Sequence, residues 1–163
     1  MMDVDEIKPL SEKIIIINEI IDLIHKELNR GIESKISNQH ILNYLNNQNI
    51  ALQEIVNWLL DNQNDLNSIF LLGYLNYFGI EIGENNEKSF KLFFNASNQN
   101  HILAQYYVRE CYEYGYGTIK DEKLAFSYYE EVANENYAAG QFKVGYLYDY
   151  GVGIKKDVKA GCN

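Results

Sequence analysis

Three histidines, two cysteines and a few acidic pairs are the residues of this chain that could do chemistry, and their spacing commits them to none. His25, His40 and His101 are scattered, and no two of them share a helix face with a carboxylate at metal-ligand spacing. Cys111 and Cys162 match neither a zinc nor a redox spacing. Too few for a disulfide scaffold, they indicate a reducing, cytoplasmic setting. No serine or cysteine has a base nearby in the sequence. Glu130-Glu131 and Asp121-Glu122 are simply solvated helix ends. Gly115-Tyr116-Gly117 follows a helix rather than a strand and lacks the third glycine of a dinucleotide loop. No catalytic residue, cofactor or metal is expected, and the chain does not read as an enzyme.

Bulk properties narrow the partners. The net charge is −9, and the nearest thing to a basic patch, Lys155-Lys156, is followed by Asp157. Duplex binding requires clustered Lys and Arg, so nucleic acid and anionic membranes are poor partners and a basic protein surface is a better one. The run Ile14–Ile17 lies between Glu12 and Glu19 and is too short for a signal peptide or a membrane span.

The elements that would position any site show up as a repeat. Gly79, Gly115 and Gly151 stand 36 residues apart, each preceded by an aromatic residue. A fixed interval of this size marks a repeat architecture. Ala104, Tyr107, Val108, Cys111 and Tyr112 form the apolar stripe of one amphipathic helix, repeated by Gly140, Val144, Leu147 and Tyr148. Gly115 is placed to end that helix in a left-handed turn, and Gly117 permits a second change of direction. Asp121 and Asp157 stand where the next helix begins and can cap it. Ala125, Tyr128, Tyr129, Val132 and Ala133 carry the second stripe. Ser89, Leu92, Phe93, Ala96 and Ser97 stand 36 residues earlier. Asn100 and Asn136 are expected in the short turns that follow the second helices.

These residues resemble the Sel1-like repeat, a relative of the tetratricopeptide repeat. The pattern runs Ala104…Gly115-Tyr116-Gly117…Asp121…Lys123…Ala125…Tyr128-Tyr129…Ala133, and again from Gly140 through Gly145, Gly151, Gly153, Asp157 and Lys159. The resemblance covers residues 68–163 and implies an all-α, α/α superhelical solenoid of helix-turn-helix units. The units fall at about 67–102, 103–138 and an incomplete 139–163. Three departures stand out. Glu81 replaces the second glycine in the first unit, Arg109 takes the place held by Gly73 and Gly145, and the third unit stops six residues into its second helix.

Upstream, Leu10, Ile14, Ile17, Ile21, Ile24 and Leu28 space an amphipathic helix over 10–29, within an N-terminal segment 1–33 that Gly31 ends. Ile16, Ile20 and Leu23 widen its apolar face, which favours docking onto the repeats over a coiled coil. Residues 34–66 read as a helical hairpin, a degenerate repeat or cap of the kind a solenoid end requires. The resemblance implies that such helices in fungal relatives sit between a protein-kinase domain and Sel1-like repeats. This chain has no kinase signature of its own.

The same resemblance puts the first helix of each unit along a concave groove and implies a non-catalytic scaffold or adaptor in signalling or complex assembly. Opposite the core stripe those helices carry Phe70, Tyr74 and Tyr77, then Tyr106, Glu110 and Glu113, then Phe142, Tyr146 and Asp149. Exposed aromatics ringed by carboxylates would suit a basic peptide or helix. The competing expectation is that these aromatics pack between neighbouring first helices. Two other functional readings stand beside the scaffold. One is a detached regulatory segment of a kinase-like signalling protein. The other is a truncated product with little function of its own, self-associating through its unfinished repeat.

Overall fold

The structure, a computed structural model, describes residues 4–134, with side chains over 12–133. The described residues form seven helices and no strand: α1 (Val4–Asn29), α2 (Ser34–Asn47), α3 (Leu52–Asp61), α4 (Leu66–Phe78), α5 (Asn86–Ser97), α6 (Ile102–Tyr114) and α7 (Glu122–Asn134). Consecutive helices α4 to α7 pack on one another, while α1 lies against α2 and α4, and α3 against α4. None of these helices is long and apolar enough to cross a membrane.

The 36-residue interval holds bond by bond. Ile80 N–H donates to Leu75 O at 2.9 Å, and Tyr116 N–H to Cys111 O at 3.0 Å, closing α4 and α6 alike. Gly79 and Gly115 supply the left-handed residue at φ +63° and +74°, as the helix-ending turn requires. Asn85 N–H reaches Asn76 O at 2.9 Å, and Asp121 N–H reaches Tyr112 O at 2.8 Å, folding each loop back onto its helix. The caps are equivalent too. The Asn85 side chain accepts from Lys88 N–H at 3.0 Å and the Asp121 side chain from Leu124 N–H at 2.9 Å. Each such cap is worth about 1 kcal/mol. Asn100 takes the left-handed conformation after α5, at φ +64°.

The predicted stripes of the first two units supply much of the core, while Gly140, Val144, Leu147 and Tyr148 of the third lie outside the described residues. Ala104, Val108, Cys111, Ser89, Phe93, Ala96 and Val132 are fully buried, with Tyr107, Ala125 and Tyr129 nearly so. Docking prevails over a coiled coil in α1, whose Ile16, Ile17, Ile20, Ile21 and Ile24 are buried in the same core. The helix also starts earlier than Leu10 and carries Pro9 in its second turn, where the missing N–H forfeits one backbone bond.

The first departure from the repeat keeps its backbone: Glu81 adopts φ +63° where the second unit has Gly117 at φ +70°. Glu81 is exposed, so its side chain has room. The second departure is a replacement of partners. At Gly73 an added Cβ would meet the Phe93 ring at 2.8 Å, so ring and helix backbone are in direct contact. The equivalent pair is Arg109 and Tyr129, and the guanidinium there lies flat on the ring, 3.7 Å from its centroid. The third departure, at the end of the chain, lies outside the described residues.

Candidate functional site

Helices α4 and α6 bring the expected groove residues Tyr77, Tyr106 and Glu110 together, with Arg109 stacked beside them. Tyr106 lies on the other face of that guanidinium, 3.9 Å from it. Arg109 is fully buried, and its Nε–H donates to the Tyr106 carbonyl at 3.1 Å. Neither terminal amino group of Arg109 has a hydrogen-bond partner, so two aromatic faces and one hydrogen bond hold the charge. Desolvation pulls the Arg109 pKa down while the nearby tyrosines and Glu110 oppose it. A guanidinium stays protonated under such a shift.

Carboxylates bind the tyrosines together. Tyr106 OH donates to Glu110 Oε1 at 3.1 Å, and Tyr77 OH approaches Glu110 Oε2 at 3.4 Å. Glu110 therefore bridges the two first helices. Tyr129 OH donates to Glu113. Burial and the adjacent carboxylates push the Tyr77 and Tyr129 hydroxyls far above the usual phenol range, so both remain donors. Among the described residues the cluster holds two carboxylates, Glu110 and Glu113, and one guanidinium. Tyr77, Tyr106, Glu110 and Glu113 are all half-buried.

Two expected groove residues do not belong to this surface. Phe70 and Tyr74 are fully buried, at 0% and 1% exposure. Phe70 stacks on His101 at 5.0 Å and tilts against Phe93 and Tyr107. Tyr74 packs edge-on to Tyr107, and its hydroxyl donates to Asn38 Oδ1 at 2.6 Å. At these positions the aromatics pack between neighbouring elements, Phe70 on Phe93, His101 and Tyr107 and Tyr74 between Tyr107 and Asn38 of α2. Tyr77 does both jobs. It packs on Tyr107 and Tyr116 while its hydroxyl turns to Glu110. Phe142, Tyr146 and Asp149 lie outside the described residues.

The histidines have separate settings. His40 pairs with the buried Glu27 across α1 and α2. His101 caps α6, its Nδ1 accepting from Ala104 N–H at 3.2 Å. Asp65 does the same for α4, accepting from Ser68 N–H at 3.0 Å one repeat earlier. Among the described residues no group of three or more His, Cys, Asp or Glu could hold a metal ion. Cys111 is a free, buried thiol, its pKa pushed up to about 12 by burial, and so is not a nucleophile.

A cleft that the sequence did not reveal opens between α1, the turn before α4 and the start of α6. Its volume is about 720 Å³, and its lining includes Asp22, His25, Asp65, Asn67 and His101. These residues come from three separate segments; the repeat relates Asp65 to His101, but nothing in the sequence brings α1 to them.

Comparison with known proteins agrees with this architecture. The family model of the Sel1 repeat matches residues 66–101, 102–137 and 138–162. A Sel1 repeat protein from Oxalobacter formigenes shares 26% identity over 73% of this chain and 49% of its own, with a TM-score of 0.64. A protective antigen of uropathogenic Escherichia coli with an SLR fold, c5321, superposes at the same TM-score. It covers 96% of this chain and 38% of its own, at 17% identity, a likeness of fold alone. The chain thus spans half or less of the length of each of these two structures. No curated protein matches it. Sel1 repeat proteins are in general protein-interaction scaffolds. With three consecutive repeats matched and the same backbone bonds recurring every 36 residues, the chain belongs to the Sel1 repeat family.

Proposed function

We propose that this chain is a non-catalytic protein-interaction scaffold, acting as a cytoplasmic adaptor, and that its first-helix surface binds a basic segment of a partner protein. The observation that carries this reading is the acidic, tyrosine-framed cluster at the α4–α6 junction, where Glu110 joins Tyr77 and Tyr106. Tyrosine offers contact area at low entropic cost, and a carboxylate already held in place accepts a Lys or Arg with little reorganisation. Phe142, Tyr146 and Asp149 would continue the surface along the third unit. Residues 34–66 would serve as the cap at the other end, with the N-terminal helix of segment 1–33 docked beside it.

Isosteric neutralisation tests the proposal without unpicking the core. Glu110→Gln and Glu113→Gln keep acceptors for the tyrosines but remove the charge. With partners captured on the immobilised chain, the double variant is expected to weaken binding about tenfold while circular dichroism stays unchanged. A folded double variant that binds as tightly as the parent would refute the acidic surface as the site.

A further inference from the structure

The cleft beside α1 shares no residue with the tyrosine cluster and does not depend on it. Its volume falls within the about 300–1,000 Å³ typical of ligand sites, more than one side chain fills. Ile14, Ile21, Leu66 and Ile102 give it apolar walls, and Ile14 is 38% exposed on the surface of α1. Its carboxylates are Asp22 and Asp65, the imidazole of His25 lies beside them, and among the described residues no Lys or Arg lines it.

The polar floor is already organised. His101 Nε2–H donates to Asn67 Oδ1 at 2.9 Å, and Asn67 Nδ2–H donates to Asn18 Oδ1 at 2.8 Å. The other His101 nitrogen accepts from Ala104 N–H, which fixes a neutral tautomer and adds no positive charge. The starts of α4 and α6 also face the cleft and would by themselves favour an anion. Asp65 and His101 already occupy Ser68 N–H and Ala104 N–H there. Each helix end carries about half a positive charge, so the two full carboxylate charges outweigh them. Asp65 accepts from Ser68 N–H on one oxygen and from Ser68 Oγ–H on the other, and each carboxylate oxygen can take a further donor.

We propose that this cleft is a second docking site, which takes an extended segment of another protein with a Lys or Arg next to an apolar residue. The cation meets Asp22 and Asp65, and the apolar neighbour lies on Ile14, Ile21 and Ile102.

The test is an NMR titration of the full isotope-labelled chain with blocked pentapeptides. The series has Lys or Arg at the centre and Leu, Ile or Phe beside it, matched by peptides with Glu or Ala at the centre. Cation-centred peptides are expected to shift the resonances of Asn18, Asp22, Asn67 and His101. Asp22→Asn with Asp65→Asn, which retains an N-capping side chain at 65, is expected to weaken them about tenfold. The proposal is overturned if no cation-centred peptide shifts these resonances at millimolar concentration. It is equally overturned if Glu-centred peptides shift them as well, or if the double variant binds unchanged. Spermidine matching the best peptide would also overturn it, because the cleft would then hold a small cation rather than a polypeptide. Shifts confined to Tyr77 and Tyr106 would place binding at the tyrosine cluster and refute the cleft.

Discussion

Gly117→Ala is expected to lower the unfolding free energy by about 3 kcal/mol or more, against about 1 kcal/mol for Gly31→Ala. Both glycines have positive φ, +70° and +71°, so the conformational cost of a Cβ is the same at each. Their surroundings differ. A Cβ at Gly31 meets nothing within 4 Å, whereas one at Gly117 would fall 2.0 Å from Asn86 O and 2.9 Å from Glu87 Cα. Those atoms are the backbone at the start of α5, and no rotamer change can relieve the clash. The second unit's loop rests directly on the first unit's second helix, so Gly117 sets the distance between repeats. Glu81→Gly is the converse case: the backbone is left-handed there and the side chain is exposed. It should gain about 1 kcal/mol. Urea denaturation of the three variants checks the order. Equal losses at 31 and 117 would show that the loop does not bear on α5.

Stability is expected to fall by about 3 kcal/mol as the pH drops from about 6.5 toward 4 through His101 alone, and this loss should be absent in His101→Asn. Burial pushes the His101 pKa down to about 4, with nearby His25 adding to the effect and Asp65 opposing it. The unfolded chain therefore binds more protons than the folded one between those two values, and stability rises with pH across that window. Above about 6.5 the imidazole is neutral in both states and the dependence vanishes. The geometry explains the shift. Nδ1 accepts from Ala104 N–H, so protonating it would set two donors against each other, while the ring lies on Phe70. Asparagine keeps an N-cap acceptor without a titrating group. Thermal melts of parent and variant at a series of pH values separate this contribution from the carboxylates common to both. Parallel pH profiles would contradict it.

How far the fold could be read from the residues follows from the range of the forces involved. Helix stripes, the left-handed turns at Gly79 and Gly115 and the cap at Asp121 depend on neighbours within a few residues, and all were legible. The surface of α4 was not. Residues 68–76 are buried without interruption, and a helix apolar all round has no polar face to show which side is open. Phe70 and Tyr74 stand 36 residues before the half-buried Tyr106 and Glu110, which suggested a groove, whereas Phe70 packs on Phe93, His101 and Tyr107 and Tyr74 on Tyr107 and Asn38. The unbroken run from Ile69 to Leu72 was the available warning. Arg109 was visible as a misfit at a glycine position, but its stacking between Tyr106 and Tyr129 depends on a helix 13 or more residues away. The cleft is purely tertiary, since α1 meets the start of α6 across some 80 residues of chain.

Site-specific photo-crosslinking bears most directly on the central claim that the α4–α6 surface is where a partner protein binds. A benzoylphenylalanine at position 77 or 106 replaces a tyrosine in the cluster, and one at the exposed Ile36 on α2 serves as the reference. Partner adducts that excess unlabelled chain suppresses are expected from 77 and 106, and none from 36. Adducts from 36 with none from 77 or 106 would contradict the claim.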